Sequence, residues 1–147
     1  MAIEIEERVL QFIKSHRVAR MATADAAGRP AVIPICYVFD GSSFYSAIDK
    51  KPKRVDLMKL QRVRNIRVNP HVALVIDDYS ENWSELIYVV VRGVAEILDP
   101  GERVSAEQKN AVAALRSKYE QYRSMPIDRN PMIKIVPERV RFWSPLP

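Results

Sequence analysis

Hydrophobic residues recur with a helical period at the start of the chain and with a strand-like pattern along most of the remaining sequence. The helical pattern comprises Ile5, Val9, Phe12 and Ile13. Their spacing of i, i+4, i+7 and i+8 places them on one face of an opening helix. Short runs rich in β-branched and aromatic residues then predict strands. These runs span residues 18–24, 31–39, 43–48, 71–77, 86–98, 132–136 and 139–143.

Turn and capping residues separate these segments. Asp40-Gly41 stands between two strand-like runs and predicts a hairpin. Gly93 lies inside a long apolar run and predicts a β-bulge. Ser105 followed by Gln108 matches a capping box, which predicts the start of a helix. One face of that helix is formed by Val112, Leu115, Tyr119 and Tyr122.

A proline interrupts the most apolar of the predicted strands, within the stretch VIPICYVFDG at residues 32–41. Because proline has no backbone N–H, it cannot donate to a β-ladder and is confined to edge strands, first positions and bulges. Pro34 therefore predicts that this strand lies at an edge of its sheet or carries a bulge.

The order of the elements favours one class of fold. Six or seven strands follow one another, most of them joined by short turns, and regular alternation of strand and helix is absent. Sequential strands with short turns are typical of antiparallel sheets and barrels. The 147 residues are a length typical of one domain. We therefore predict a mainly β chain with helices, of the α+β class, in a single domain over residues 1–147.

Positive charge is concentrated in one segment. Residues 50–67 contain eight lysines and arginines and one aspartate, so this segment carries +7, whereas the net charge of the chain is +5. We predict two short helical pieces there, the second over residues 62–68, ended by Asn69-Pro70. Such confinement favours a local anion site over a diffuse nucleic-acid surface. An ordinary solvated face is the alternative interpretation.

The sequence motifs of several common kinds of functional site are absent. The four glycines are isolated, so no phosphate-binding glycine motif is present, and the two histidines have no ligand-like neighbours. Cys36 is the only cysteine, which excludes an internal disulfide. No export signal and no membrane-spanning run are recognisable, so we expect a cytoplasmic protein. Spacing alone assigns no catalytic side chain.

An aromatic cluster, DDYSENW at residues 77–83, adds to the basic segment. Arginines bind phosphate through paired hydrogen bonds, and Trp83 or Tyr79 could cover the face of a ring. The two features together suggest an anionic ligand with a flat ring. For Trp83, a place in the core or in a dimer interface is an equally good interpretation.

Three stretches in this order resemble the pyridoxamine 5′-phosphate oxidase-like split-barrel flavoproteins. The stretches are RMATADAAGRPAVIPICYVFDG, KPKRVDLMKLQRVRNIRVNPHVALVID and DDYSENWSELIYVVVRGVAEIL. They are similar to the family's first hairpin, to its basic helix before Asn-Pro and a strand, and to its tryptophan before a long strand. The most similar group is the small oxidoreductases assigned to the deazaflavin coenzyme F420. The resemblance implies an FMN-binding type of antiparallel split β-barrel.

The resemblance also implies a homodimer with cofactor sites at the subunit interface, and it assigns site residues. Arg62 matches the basic residue that binds cofactor phosphate, and the basic loop before it would face the same side. That loop contains Lys51, Lys53 and Arg54. Two strand ends would border the ring of FMN or coenzyme F420, namely Pro34, Ile35 and Cys36 and then Ala47, Ile48 and Asp49. Trp83 matches a tryptophan of the family that reaches the site. In a homodimer this tryptophan could come from the partner subunit.

Three functions are compatible with these observations. The first is an oxidoreductase that transfers hydride between coenzyme F420 or FMN and a small organic acceptor. The second is a flavin or heme binding module on the same fold, without turnover. The third, which the acidic balance of the remaining chain disfavours, is a nucleic-acid-binding protein using residues 50–67. The oxidase's C-terminal Arg-x-His substrate signature is absent, so the resemblance does not extend to oxidation of vitamin B6.

Overall fold

The computed structural model describes residues 3–49 and 56–145. Lys51, Lys53 and Arg54 of the predicted site lie outside the described residues. The helices are α1 (Glu7–Ser15), α2 (Gln61–Val68) and α3 (Ala106–Lys118). The strands are β1 (Ala19–Ala24), β2 (Pro30–Ile35), β3 (Val38–Phe39), β4 (Phe44–Ala47), β5 (His71–Asp78), β6 (Ile87–Leu98) and β7 (Met132–Trp143). Single 3₁₀ turns occupy Leu57–Lys59, Trp83–Glu85, Glu120–Ser124 and Ile127–Arg129.

All seven strands belong to one antiparallel sheet with the order β2-β1-β5-β6-β7-β4-β3. The strands β2 and β3 are the two edges of this sheet, yet only Cys36 and Tyr37 separate them in the chain. Three residue steps span at most about 11 Å, so the sheet must curl until its edges nearly meet. The fold is therefore an α+β split barrel, as the sequence predicts.

Two strand predictions are wrong in their boundaries. The apolar run at residues 31–39 is not one strand, because the chain leaves one sheet edge after Ile35 and joins the opposite edge at Val38. Residues 132–136 and 139–143 are not two strands, because β7 runs continuously past Pro137.

A bulge where β6 and β7 pair makes the continuity of β7 possible. Gly93 pairs with Pro137 and Arg92 pairs with Arg139, so Glu138 is the extra residue. A Cβ at position 93 would lie 2.5 Å from the carbonyl oxygen of Val136, which only glycine avoids. The predicted bulge at Gly93 is confirmed, and it lets one long strand follow the curvature of the barrel.

Helices close the barrel on two sides. Val9 and Ile13 of α1 pack against core residues such as Met21 and Leu74 on the inner face of the sheet. Val112 and Leu115 of α3 belong to a second cluster that packs beside β4. Tyr119 and Tyr122 are buried in that cluster as predicted, but α3 ends at Lys118 and Tyr122 lies in the following 3₁₀ turn. No helix in the two described ranges is long and apolar enough to span a membrane.

Candidate functional site

A cleft of about 340 Å³ opens where the ends of β2 and β4 approach the start of α2 and the turn after α3. It is lined by Val18, Ile33, Pro34, Ile35, Cys36, Ser46, Ala47, Asp49, Arg62 and Tyr122. The backbone brings together five segments that are distant in sequence, because Val18 before β1 also lines the cleft. Six of the site residues assigned by resemblance are among them, although their role in binding a cofactor stays a prediction.

The first wall of the cleft is the end of β2. Pro34 pairs with Arg20 of β1, and no described strand pairs with β2 on its other side. The prediction of an edge strand is thus confirmed, since an edge accommodates a residue that cannot donate. Ile35 is buried and Cys36 is half-buried, so the wall is apolar apart from one thiol.

The second wall is the end of β4. Ser46 and Ala47 are buried within the curled sheet, whereas Asp49 is exposed at the mouth of the cleft. Ile48 does not line the cleft, because its side chain packs in a small cluster with Leu57 and Val63. The resemblance places Ile48 beside the cofactor ring, but in the structure Ile48 lies outside the cleft of this chain.

Arg62 supplies positive charge from α2, a helix that is anchored to the sheet by its buried residues. Val63 and Ile66 of α2 are buried, and the buried Asn65 Nδ2 donates to Thr23 Oγ1 of β1 at 2.9 Å. The half-buried Arg62 guanidinium makes no hydrogen bond or ion pair with any of the described residues. Burial lowers the pKa of Arg62, and the negative charge of Asp49 partly offsets this effect. Because arginine stays protonated at physiological pH, the cleft contains an available cation.

Tyr122 is the cleft residue that the sequence analysis assigned to the core of a helix rather than to the site. Its ring is buried, and its hydroxyl donates to Asp49 Oδ2 at 3.2 Å. Burial, the nearby Asp49 charge and the adjacent Cys36 raise the pKa of Tyr122. The phenol is therefore neutral at physiological pH and acts as a hydrogen-bonding group rather than as a base.

Trp83 lies apart from the cleft of its own chain. It begins the 3₁₀ turn between β5 and β6, and 69% of its surface is exposed. Tyr79 in the same connection is 66% exposed. The interpretation of Trp83 as a core residue is therefore wrong, whereas a contact with a second subunit stays a prediction.

The arrangement is suited to binding and orienting a ligand. It combines a cation, an apolar strand edge, a neutral phenol and a carboxylate at the mouth. No histidine is among the residues that line the cleft. Within residues 3–49 and 56–145, no group of three histidine, cysteine or acidic side chains is arranged to hold a metal ion. The residues that line the cleft therefore offer binding groups and one thiol, Cys36, with no histidine beside it to act as a base.

Known proteins are similar to this chain in sequence or in fold. A 5a,11a-dehydrotetracycline/5a,11a-dehydrooxytetracycline reductase from Streptomyces rimosus is 26% identical over 98 residues. That match covers 66% of each chain, slightly less than two thirds of the reductase. The heme storage protein HutZ from Vibrio cholerae superposes with a TM-score of 0.71 at 19% identity, covering 97% of this chain and 95% of HutZ. An F420 reductase superposes with a TM-score of 0.65 at 22% identity, covering 95% and 98%.

The family match extends over nearly the whole chain. The sequence matches the family described as pyridoxamine 5′-phosphate oxidase over residues 5–144. This range includes every strand of the split barrel and every residue that lines the cleft. The chain therefore belongs to the pyridoxamine 5′-phosphate oxidase family.

Proposed function

We propose that this protein is an oxidoreductase that binds FMN or coenzyme F420 in the cleft and acts on a small organic acceptor. The observation that carries the proposal is the half-buried Arg62, which has no hydrogen-bonding partner among the described residues and lies at an otherwise mainly apolar cleft. A guanidinium in that position is suited to a phosphate group. The bound cofactor would supply hydride transfer, and the chain would hold and orient it.

The relatives support this class of reaction. One is named a reductase of a dehydrotetracycline, and a structural neighbour is named an F420 reductase. Both names describe redox enzymes. The cleft of this protein offers a cation and an apolar edge that could bind and orient a cofactor. The apolar edge formed by Pro34 and Ile35 is compatible with a flat ring, because an edge strand has no neighbouring strand on its outer side.

We further propose that the protein forms a homodimer whose interface covers the cleft. The cleft volume of about 340 Å³ is at the lower end of the roughly 300–1,000 Å³ typical of ligand pockets. Large apolar side chains are exposed elsewhere, including Val32 at 64% and Trp83 at 69%. A second copy could cover such surfaces and complete the site. Light scattering should give about twice the 16.9 kDa mass of one chain, and a monomer that binds cofactor would contradict this arrangement.

The central experiment is a binding titration with FMN and with coenzyme F420, followed by the fluorescence of the ring. We expect saturable binding of one of them, and the absorption spectrum of the complex identifies which. If neither binds, the proposed function is wrong. If one of the cofactors binds, the complex with its reduced form should transfer hydride to an acceptor such as an electron-poor alkene.

Replacing the cleft arginine tests the phosphate site. We expect Arg62→Ala to weaken cofactor binding roughly 10- to 150-fold, because a hydrogen bond to a charged group contributes about 1.5–3 kcal/mol. Arg64→Ala is the matched control, since Arg64 is exposed on the same helix and does not line the cleft. Equal affinity of the Arg62→Ala variant and the wild type would contradict a phosphate site at Arg62. It would leave the basic loop of Lys51, Lys53 and Arg54 as the alternative.

A heme-binding module is the second candidate, and the structural similarity to the heme storage protein HutZ favours it. The placement of the two histidines disfavours it. His16 Nε2 lies 2.7 Å from Asp78 Oδ1, and His71 begins β5, so neither lines the cleft. A titration with hemin distinguishes the candidates, because tight hemin binding without flavin or deazaflavin binding would support the carrier.

A further inference from the structure

The segment between α3 and β7 fixes both walls of the cleft. We call residues 119–130 the brace segment. At one end, the Tyr119 hydroxyl accepts a hydrogen bond from the Tyr37 backbone N–H at 3.0 Å, directly after the β2 wall. At the other end, Asn130 Nδ2 donates to the Ile48 carbonyl at 2.6 Å, directly before Asp49. The brace segment therefore contacts the chain beside both walls, through two hydrogen bonds between residues 82 positions apart in sequence.

Tyr122 is the residue of the brace segment that faces the cleft, and its backbone is held in place. Arg116 Nε donates to the Tyr122 carbonyl at 3.1 Å, and Arg116 Nη2 donates to the Met125 carbonyl at 2.8 Å. The Tyr122 ring also packs against the Tyr119 ring, with centroids 5.4 Å apart. The Tyr122 hydroxyl is therefore presented to Asp49 from a rigid support.

Two side chains of opposite charge, Arg62 and Asp49, line the cleft together with Tyr122. Arg62 attracts an anion, whereas the Asp49 carboxylate repels one and accepts hydrogen bonds. The hydrogen bond from Tyr122 uses one lone pair of Asp49 Oδ2 and leaves other acceptor positions of the carboxylate free. A ligand whose phosphate contacts Arg62 could therefore direct an N–H or O–H donor at Asp49.

We propose that Tyr122 is a positioning residue that holds Asp49 as the acceptor for an N–H or O–H donor on the phosphate-free part of the cofactor. The inference rests on the proposed function, because it concerns the same cleft. It adds an orienting pair, Asp49 and Tyr122, beside the phosphate site at Arg62.

Phosphate-free ligands isolate this effect from the phosphate contact. Riboflavin is the probe if FMN binds, and the corresponding deazariboflavin is the probe if coenzyme F420 binds. We expect Tyr122→Phe to weaken binding of the probe roughly three- to tenfold, the scale of one hydrogen bond. Tyr45→Phe is the matched control, because the Tyr45 hydroxyl donates to Glu107 Oε2 at 2.6 Å but Tyr45 does not line the cleft. Thermal unfolding of each variant reports whether the fold is retained.

A double-mutant cycle separates positioning from a merely structural effect. Because Tyr122 acts through Asp49, we expect Tyr122→Phe to have no further effect on probe affinity once Asp49→Ala is present. Full additivity of the two substitutions would overturn the proposal, as would unchanged probe affinity in the Tyr122→Phe variant. A wild-type protein that binds neither cofactor would instead overturn the proposed function, and this inference with it.

Discussion

Lys118 lies against aromatic rings at the place where β2 gives way to β3. Its Nζ donates to the Tyr37 carbonyl at 3.0 Å and lies 4.1 Å from the centroid of the Tyr37 ring. Burial, together with the positive charge of Arg17, lowers the pKa of Lys118 to about 8, and Cys36 acts in the opposite direction. The ammonium is thus less favourable in the folded protein than in the unfolded chain.

This lowered pKa predicts how stability depends on pH. An unfolded lysine has a pKa near ~10.4, so between about pH 8 and pH 10 the unfolded state binds more protons at this position. The contribution of Lys118 to the free energy of unfolding should therefore rise with pH across that window. Urea unfolding at pH 7, 8, 9 and 10 should show the stability of the wild type rising relative to that of Lys118→Met. The comparison between the two variants is needed because the raised pKa values of the buried tyrosines lower the stability of both toward pH 10.

A second lysine on the same helix provides the control for that measurement. Lys109 is exposed on α3, so Lys109→Met should retain the wild-type pH dependence. If Lys118→Met and the wild type change stability in parallel between pH 8 and pH 10, the burial of Lys118 does not influence its protonation.

At the scale of one element, α3 begins as the sequence predicts but uses its residues differently. Ser105 Oγ accepts a hydrogen bond from the Gln108 backbone N–H at 3.1 Å, which confirms the cap. The Gln108 side chain does not return to the Ser105 N–H, as a full capping box requires. Instead it is buried and donates to the Asn130 carbonyl at 3.1 Å. The reciprocal half of the box is therefore replaced by a contact with the end of the brace segment.

Removing the cap should have a measurable cost. We expect Ser105→Ala to lower the free energy of unfolding by about 1 kcal/mol, because a donor of the first turn loses its acceptor. Ser117→Ala is the matched control, since Ser117 is exposed within α3 and caps no helix. Urea denaturation measures both variants. Equal stabilities of the two would indicate that water replaces the Ser105 cap without cost.

Local patterns predict which elements exist, but not how strands pair. The bulge at Gly93, and the choice between an edge and a bulge at Pro34, followed from the backbone chemistry of single residues. The division of residues 31–39 into two strands did not, because it depends on which distant strand each half joins. Likewise, β7 is continuous because β6 pairs along its whole length, which the sequence around Pro137 does not reveal.

The candidate site was predictable to a similar extent. The resemblance supplied Pro34, Asp49 and Arg62, which lie on elements whose order along the chain is distinctive. Tyr122 was assigned to the core because its periodicity extends that of α3, and burial alone agrees with that assignment. Its role at the cleft depends on a contact with Asp49, 73 residues away in the chain. Only the folded chain reveals a contact of this kind.

At the scale of the whole molecule, closure of the barrel and shape of the cleft depend on the same contacts. The two sheet edges are joined through Cys36 and Tyr37, and the brace segment is hydrogen-bonded at that junction. The Tyr119 hydroxyl accepts from the Tyr37 N–H and lies 2.8 Å from the Arg17 carbonyl, to which it can donate. One phenol therefore joins the connection before β1 to the seam between β2 and β3.

Removing this hydroxyl should weaken the closed barrel. Tyr119→Phe leaves the buried N–H of Tyr37 without its acceptor, which should cost about 1–3 kcal/mol in the free energy of unfolding. Tyr88→Phe is the control, because Tyr88 is 39% exposed and stacks on Trp143 with centroids 5.4 Å apart, a contact that phenylalanine retains. Hydrogen exchange should also become faster at the Tyr37 amide in Tyr119→Phe. If that amide stays protected and the stability is unchanged, the seam is held by the strands alone, and the cleft walls do not depend on the brace segment for their separation.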